Sequence, residues 1–334
     1  MRTAFVFGAA FFLVMAVAAM VFGVSAAEDA ANQSANLNQS STQLVHSSSL
    51  TELVDFVREA RDYAREVGRE KACLEFDNKT GKFVRGDLYI YAYDFRGTNV
   101  AHPFRPDFIG NSKINLTDPN GVALIKDLID CSHRGEDFTY FIFPNPDHES
   151  KDELKVGYAA KVDDDWWVGS GVYLSDVPAL FPSEARENMV GFVDEAVKYA
   201  QENGKEKALQ TFNDKNGSFV HGNLYVFAYD YNGTALSLPY QPNLVGSNRI
   251  DAVDLNGVHF VQTCIDQAKR GNGYLYYIYA NPAKNMAQEL KLGYVRNVDG
   301  KWWLGAGIYA SESNTTASAS QTYLGDVGGN SSGK

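Results

Sequence analysis

The sequence predicts an α+β protein made of two consecutive copies of one domain, each a leading helix packed on an antiparallel sheet of about five strands. Three observations carry that expectation. The phrase DDDWWVGSGVY, ending at Tyr173, returns as DGKWWLGAGIY, ending at Tyr309, and the two phrases use all four tryptophans of the chain. A shift of 136 positions lays Phe56 on Phe192, Gly86 on Gly222, Pro103 on Pro239 and Gly121 on Gly257 without a gap. About fifty of roughly 118 paired positions are identical, so each copy is a domain rather than a solenoid unit. Each copy also passes from a helical apolar period to an alternating one.

Within a copy the elements follow in order. Ser49-Leu50-Thr51-Glu52 has the form of a capping box, and Leu50, Leu53, Val54, Val57, Ala60 and Ala64 then make one apolar stripe that Gly68 ends. In the second copy Pro182-Ser183 starts the helix, Met189, Val193, Ala196 and Ala200 mark its stripe, and Gly204 ends it. A short helix over Glu70–Phe76 and a turn over Asn78–Gly81 are expected next. The run DLYIYAYDFRGT alternates, with Tyr89, Tyr91 and Tyr93 on one face and Leu88, Ile90 and Ala92 on the other. VAHPF reads as a second strand, and DPNGVALIKDLIDCSHRG as a turn and a helix closing near Gly135. FTYFIF, LKVGYAAKV and WWVGSGVY complete the sheet, the last two joined at Asp163–Asp165. The tryptophans of the closing strand should pack on both faces, and its glycines should let a backbone or a ring come close.

At 334 residues, 45% hydrophobic and 21% charged, the chain can bury two real cores. A net charge of −11 excludes a nucleic-acid footprint, which needs a clustered basic face. Cys73, Cys131 and Cys264 are odd in number and show no CxxC spacing, so they read as small buried hydrophobes. Residues 1–27 hold an apolar run from Ala4 to Val24 followed by Ser25-Ala26-Ala27. That pattern fits a cleaved signal peptide or a retained anchor, and places the rest secreted or on the outer face of the cytoplasmic membrane. Residues 28–48 and 311–334 are polar and small, a disordered stalk and tail around domains at 49–173 and 183–309. Sequons at Asn38, Asn115, Asn232 and Asn314 add little, since such triplets arise by chance.

In order along the chain, GDLYIYAYDFRGTNVAHPFRPDFIGNSKINLTDPNG, RGEDFTYFIFPNP and KVGYAAKVDDDWWVGSGVY resemble the Cache domain family, in particular its single-Cache type 2 kind. The resemblance spans nearly all of both copies. It implies a PAS-like extracytoplasmic sensing domain that binds a small ligand, a carboxylate or an amino acid, between the sheet and its crossing loops. Family members sit between two membrane helices in receptors, whereas this chain pairs two copies with no second apolar run. The expectation is therefore a sensor without its own output domain, working with a membrane receptor or transducer.

The resemblance places candidate ligand residues in the first copy at His102, Phe104 and Arg105 of HPFRP and at Lys155 and Tyr158 of K-x-x-Y. The second copy carries Leu238, Tyr240 and Gln241 in place of the first three, and keeps Lys291 and Tyr294. Tyrosines kept in both copies, Tyr93 with Tyr229 and Tyr140 with Tyr276, are expected in the pockets as well. Loss of His102 and Arg105 from the second copy predicts that the first favours anions more strongly. No catalytic motif, cofactor fingerprint or metal-ligand spacing occurs, and the Asp163–Asp165 run reads as a hairpin turn, so the expectation is not an enzyme. A cell-envelope or adhesion protein that reuses the fold without a ligand is the alternative.

Overall fold

The structure, a computed structural model, describes residues 47–312. The expected signal or anchor, the stalk up to residue 46 and the tail from residue 313 lie outside the described residues. Helix α1 (Ser47–Val67) leads the first module, followed by α2 (Arg69–Phe76). Its start at Ser47 puts Ser49 inside the first turn rather than at a cap, so the capping box does not form there. Gly68 joins the two helices at φ +81°, a left-handed conformation that glycine adopts without a Cβ clash.

The alternating run then breaks at Ile90, whose N–H bonds Phe83 O. Before the break, β1 (Val84–Arg85) and β2 (Leu88–Tyr89) form a small ribbon. After it, β3 (Tyr91–Asp94) enters the main sheet with β4 (Asn99–Ala101). A long crossing loop leads to α3 (Leu124–His133), and the module closes with β5 (Glu136–Asn145), β6 (Lys151–Lys161) and β7 (Trp166–Leu174). The sheet is antiparallel in the order β4-β3-β7-β6-β5.

The second module repeats this plan with α4 (Ser183–Asn203), α5 (Lys205–Phe212), β8 (Val220–His221) and β9 (Leu224–Tyr225). Its sheet holds β10 (Phe227–Asp230), β11 (Ala235–Ser237), β12 (Asn272–Asn281), β13 (Ala287–Asn297) and β14 (Trp302–Tyr309), with α6 (Phe260–Lys269) crossing it. The order β11-β10-β14-β13-β12 matches the first sheet strand for strand.

Each sheet separates two apolar layers. On one face, Leu53, Phe56, Val57, Ala60 and Ala64 of α1 bury against Ala92, Tyr158, Ala160, Trp166 and Val168. On the other, Tyr89, Tyr91, Tyr93 and Trp167 meet Leu124, Ile125 and Leu128 of α3. The paired tryptophans thus serve opposite faces, as the period of two requires. Cys131 and Cys264 are buried, Cys73 is half-buried, and all three are free thiols. Among the described residues no helix is long and apolar enough to cross a membrane.

The modules meet reciprocally. Asp118, in the turn Asp118-Pro119-Asn120-Gly121, accepts Asn120 N at 2.9 Å, Val122 N at 3.0 Å and Ile142 N at 3.1 Å within its own module. Its fourth partner is the Tyr276 hydroxyl of the other module, donating at 2.8 Å. Asp254 repeats the arrangement with Asn256 N, Val258 N and Ile278 N, and receives the Tyr140 hydroxyl at 2.9 Å. Burial pushes both carboxyls above their ordinary range, and these donors oppose the shift. Gly121 lies under the Tyr274 ring, and Gly257 under Phe138. Ion pairs cross the same way: Arg134 to Asp266 at 2.5 Å, and Arg270 to Asp130 and Asp127. A pseudo-twofold relation between modules is the simplest reading of these exchanged pairs.

Removing one hydroxyl leaves a buried carboxylate short of a donor. Tyr140→Phe and Tyr276→Phe should each lower unfolding free energy by about 1–3 kcal/mol, because hydrogen bonds to charged groups contribute that much. Urea unfolding followed by circular dichroism measures it. Unchanged midpoints in both variants would show that the clasps add nothing.

Candidate functional site

The site begins with two glycines on β7. A Cβ at Gly169 would stand 2.7 Å from the Tyr91 ring, and one at Gly171 would stand 2.8 Å from Lys155 Cε. Those missing side chains leave a bare strip of sheet across which Tyr91 and Lys155 lie flat. Lys155 projects from the middle of β6, opposite Phe141 of β5 and Tyr173 of β7. It is 0% exposed.

Its ammonium sits over rings, 4.0 Å from the centroid of Tyr89, 4.4 Å from Tyr173 and 5.8 Å from Tyr91. Ring faces attract a cation, yet Nζ has no hydrogen-bond partner. Burial pushes the Lys155 pKa down to about 7, with Asp87 opposing from a distance. The neighbouring hydroxyls are already committed. Tyr173 donates to Pro144 O at 2.8 Å, which leaves Tyr89 to donate to Tyr173 at 3.1 Å, and Tyr91 donates to Ser170 O at 3.2 Å.

A cavity opens beside Lys155, walled by Tyr89, Tyr91 and Tyr93, by Leu124, Ile125 and Leu128 of α3, and by Phe141 and Phe143 of β5. His102 completes the wall. Measured by where the centre of a water can go, it holds about 10 Å³, room for one water. The structure is thus closed around Lys155.

His102 is 2% exposed, and its Nδ1 accepts Arg105 N at 3.1 Å and Phe104 N at 3.3 Å. That bond places the proton of the neutral ring on Nε2. Burial, with help from Lys155 and Arg105, pushes its pKa down to about 3, so it brings no positive charge. Arg105 is occupied too, pairing with Asp107 at 2.7 Å and stacking 3.8 Å over Phe108. Of the expected extra cations of the first copy, His102 is neutral and Arg105 stands outside the wall, so Lys155 is the one cation that lines the cavity.

Of the first-copy candidates, Tyr93, His102 and Lys155 come together in the wall. Phe104 packs behind it against Tyr89, at 5.0 Å between ring centroids. Tyr140 and Tyr158 fall on the opposite face of the sheet, Tyr140 in the module clasp and Tyr158 against Phe138 at 4.7 Å. Lys155 and Tyr158 are three apart on one strand, an odd spacing that forces opposite faces. In the second module Tyr229 lines the matching cavity, Tyr240 stacks behind it on Tyr225, and Tyr276 and Tyr294 face away. Lys291 lies 4.2 Å from the Tyr225 centroid and 4.7 Å from Tyr309, outside that cavity's wall.

Phe141 and Phe143 were not among the candidates, although they alternate with Tyr140 and so had to face the other way. Among the described residues no group of three or more His, Cys, Asp or Glu side chains could hold a metal.

A family model described as "Single Cache domain 2" matches residues 45–187 and 191–322. The sensor histidine kinase MctS of Rhizobium johnstonii is 33% identical over 92 residues, 27% of this chain and only 20% of that protein's length. A solved methyl-accepting chemotaxis protein of Vibrio parahaemolyticus is 27% identical, covering 39% of this chain and 91% of its own, with a TM-score of 0.35. The ligand-binding domain of the Pseudomonas fluorescens chemoreceptor CtaA, solved with L-isoleucine, is 10% identical over 80% of this chain and 88% of its own, with a TM-score of 0.25.

Two measurements check the site's construction. Gly171→Ala forces a Cβ to 2.6 Å from Val156 O and against Lys155, so it should cost about 1–3 kcal/mol by overpacking. Gly191→Ala, on an open helix surface with nothing within 4 Å, should instead stabilise by up to about 1 kcal/mol. Equal melting shifts of one sign would refute the contrast.

The second check is pH. Lys155 is depressed to about 7 when folded and returns to about 10.4 when unfolded. Between those values the unfolded chain binds the extra proton, so wild-type stability should rise with pH relative to Lys155→Met, by up to about 1.4 kcal/mol per unit. The penalty for burying the lysine is complete below pH 7 and gone above the unfolded value. Parallel stability curves for the two proteins from pH 7 to 9.5 would contradict this placement.

Proposed function

Since the chain belongs to the single Cache domain 2 family, we propose that it senses small molecules outside the cytoplasm, the first module binding a short carboxylate through Lys155. One observation carries the reading: a fully buried ammonium, bare of hydrogen-bond acceptors, beside a cavity. Burial of such a group is costly, and a carboxylate would supply both the opposite charge and the acceptors. The cavity wall holds no carboxylate of its own to receive a ligand's ammonium, which favours a simple acid over an amino acid. The small closed volume favours a short one.

The Nε2–H of His102 offers a second, neutral donor in the same wall. Entry would fall to the His102 end of the loop between β4 and α3, since Asp118 and Asn120 clasp its other end to the second module, and that change is what a membrane receptor or transducer would read. Carboxylate binding should also raise the lysine pKa, so uptake of the ligand near pH 8 draws a proton from solution.

Calorimetry of the full chain with propionate tests the proposal. Lys155→Met should weaken binding by about ten- to a hundredfold, the worth of one charged hydrogen bond. No heat with propionate or acetate, or an affinity indifferent to Lys155→Met, would overturn it.

A further inference from the structure

The second cavity occupies the same place in its module as the first, yet its chemistry is different. It is walled by Tyr225, Phe227, Tyr229 and Leu238 where the first has Tyr89, Tyr91, Tyr93 and His102. Losing Tyr91 and His102 leaves that side with the hydroxyls of Tyr225 and Tyr229 and no imidazole. The opposite side gains hydroxyls, because Phe141 and Phe143 become Tyr277 and Tyr279.

The more consequential change is at the floor. Lys291 lies between Tyr225 and Tyr309 and behind the wall rings of Phe227 and Tyr279, at 5.6 and 5.8 Å, without lining the cavity, whereas Trp303 does line it. Trp303 is 0% exposed, stacked on Tyr229 at 5.2 Å, and its indole N–H has no hydrogen-bond partner. Among the wall residues none carries a charge: burial holds the Cys264 thiol protonated, and the Tyr225 and Tyr229 hydroxyls likewise. A carboxylate placed here would lose its hydration and meet no cation in the wall itself, because the Lys291 ammonium stands behind the rings of Tyr225, Phe227 and Tyr279. An uncharged oxygen acceptor would instead satisfy the stranded N–H.

We propose that the second module's cavity binds a small uncharged carbonyl compound, a ketone or aldehyde, whose oxygen accepts the Trp303 indole N–H. The chain then reads two chemically distinct ligands, one per module. Volume agrees with a small guest: about 20 Å³ for the centre of a water, twice the first cavity. Trp167, the counterpart of Trp303, also has an unpartnered indole N–H but is no part of the first cavity's wall. It serves as an internal control.

The test uses 2-butanone and propionate, probes of equal heavy-atom count that differ in charge. Indole N–H signals of the full chain, labelled with ¹⁵N, are followed by NMR and assigned with Trp303→Phe and Trp167→Phe. Butanone should move the Trp303 signal downfield in a saturable manner and leave Trp167 in place. Propionate should leave Trp303 unmoved. An unresponsive Trp303, or equal shifts of both indoles, overturns the proposal. So does propionate binding in the second module that Lys291→Met abolishes. This inference stands apart from carboxylate sensing: silence toward propionate with a Trp303 response to butanone would sink that reading and keep this one.

Discussion

The absence of two side chains on the closing strand of each sheet governs much of what surrounds it. Gly171 and Gly307 leave room for a lysine stem, since a Cβ there would come within 2.8 Å of Lys155 Cε and 2.5 Å of Lys291 Cε. Gly169 and Gly305 do the same for the rings of Tyr91 and Phe227. A lysine in mid-sheet would ordinarily point into a packed layer and displace it. Here it lies along the sheet, under rings, and the layer above can close. The repeated W-W-x-G-x-G-x-Y phrase is thus a single device. One tryptophan anchors the leading helix, the next roofs the opposite layer, the glycines clear a channel, and the final tyrosine walls the lysine in.

That device explains why two modules with one backbone differ in chemistry. The lysine is caged by tyrosines in both, at 4.0 Å from Tyr89 and 4.2 Å from Tyr225. What varies is the ring of residues around the cage. In the first module a neutral histidine and Phe143 stack at 5.9 Å, and the cavity reaches the ammonium. In the second, Phe260 stacks on Tyr277 at 5.4 Å, Tyr279 donates to Gln241, and Trp303 rather than the lysine lines the void. A few exchanges of side chains change the lining of one and the same cavity without moving a strand.

Much of the fold was legible because repetition and period were both in the sequence. The gapless shift exposed two domains, and alternation sorted Tyr89, Tyr91 and Tyr93 from Leu88, Ile90 and Ala92. The lysine was legible for the same reason, as a charge kept in both copies within an apolar strand. The tyrosines misled. Tyr140 and Tyr276 are kept in both copies because each reaches an aspartate of the other module, a constraint that no pattern within one domain displays. Parity along β5 and β6 would have excluded Tyr140 and Tyr158 from the cavity face once Lys155 was placed there. His102 read as a cation because a sequence does not reveal burial, and burial is what keeps its ring neutral.

The module contact also holds much of the frame around the first cavity. Strand β5 has two faces with different duties. Its Tyr140 hydroxyl is bound to Asp254, and its Ile142 N–H to Asp118, an aspartate that Tyr276 holds from the other module. Alternating with these, Phe141 and Phe143 face the cavity. Moving the strand outward would break buried hydrogen bonds to two carboxylates, each costly to leave unmet. The crossing loop is tied at both ends: its Asp118 and Asn120 join the same clasp through Tyr276, and at its start His102 is held by its backbone N–H to Asp77 at 2.8 Å and by its ring to two amides of its own turn. The first cavity is therefore flanked by a strand and an aspartate turn that the neighbouring module fixes, and by a His102 turn that is fixed within its own module.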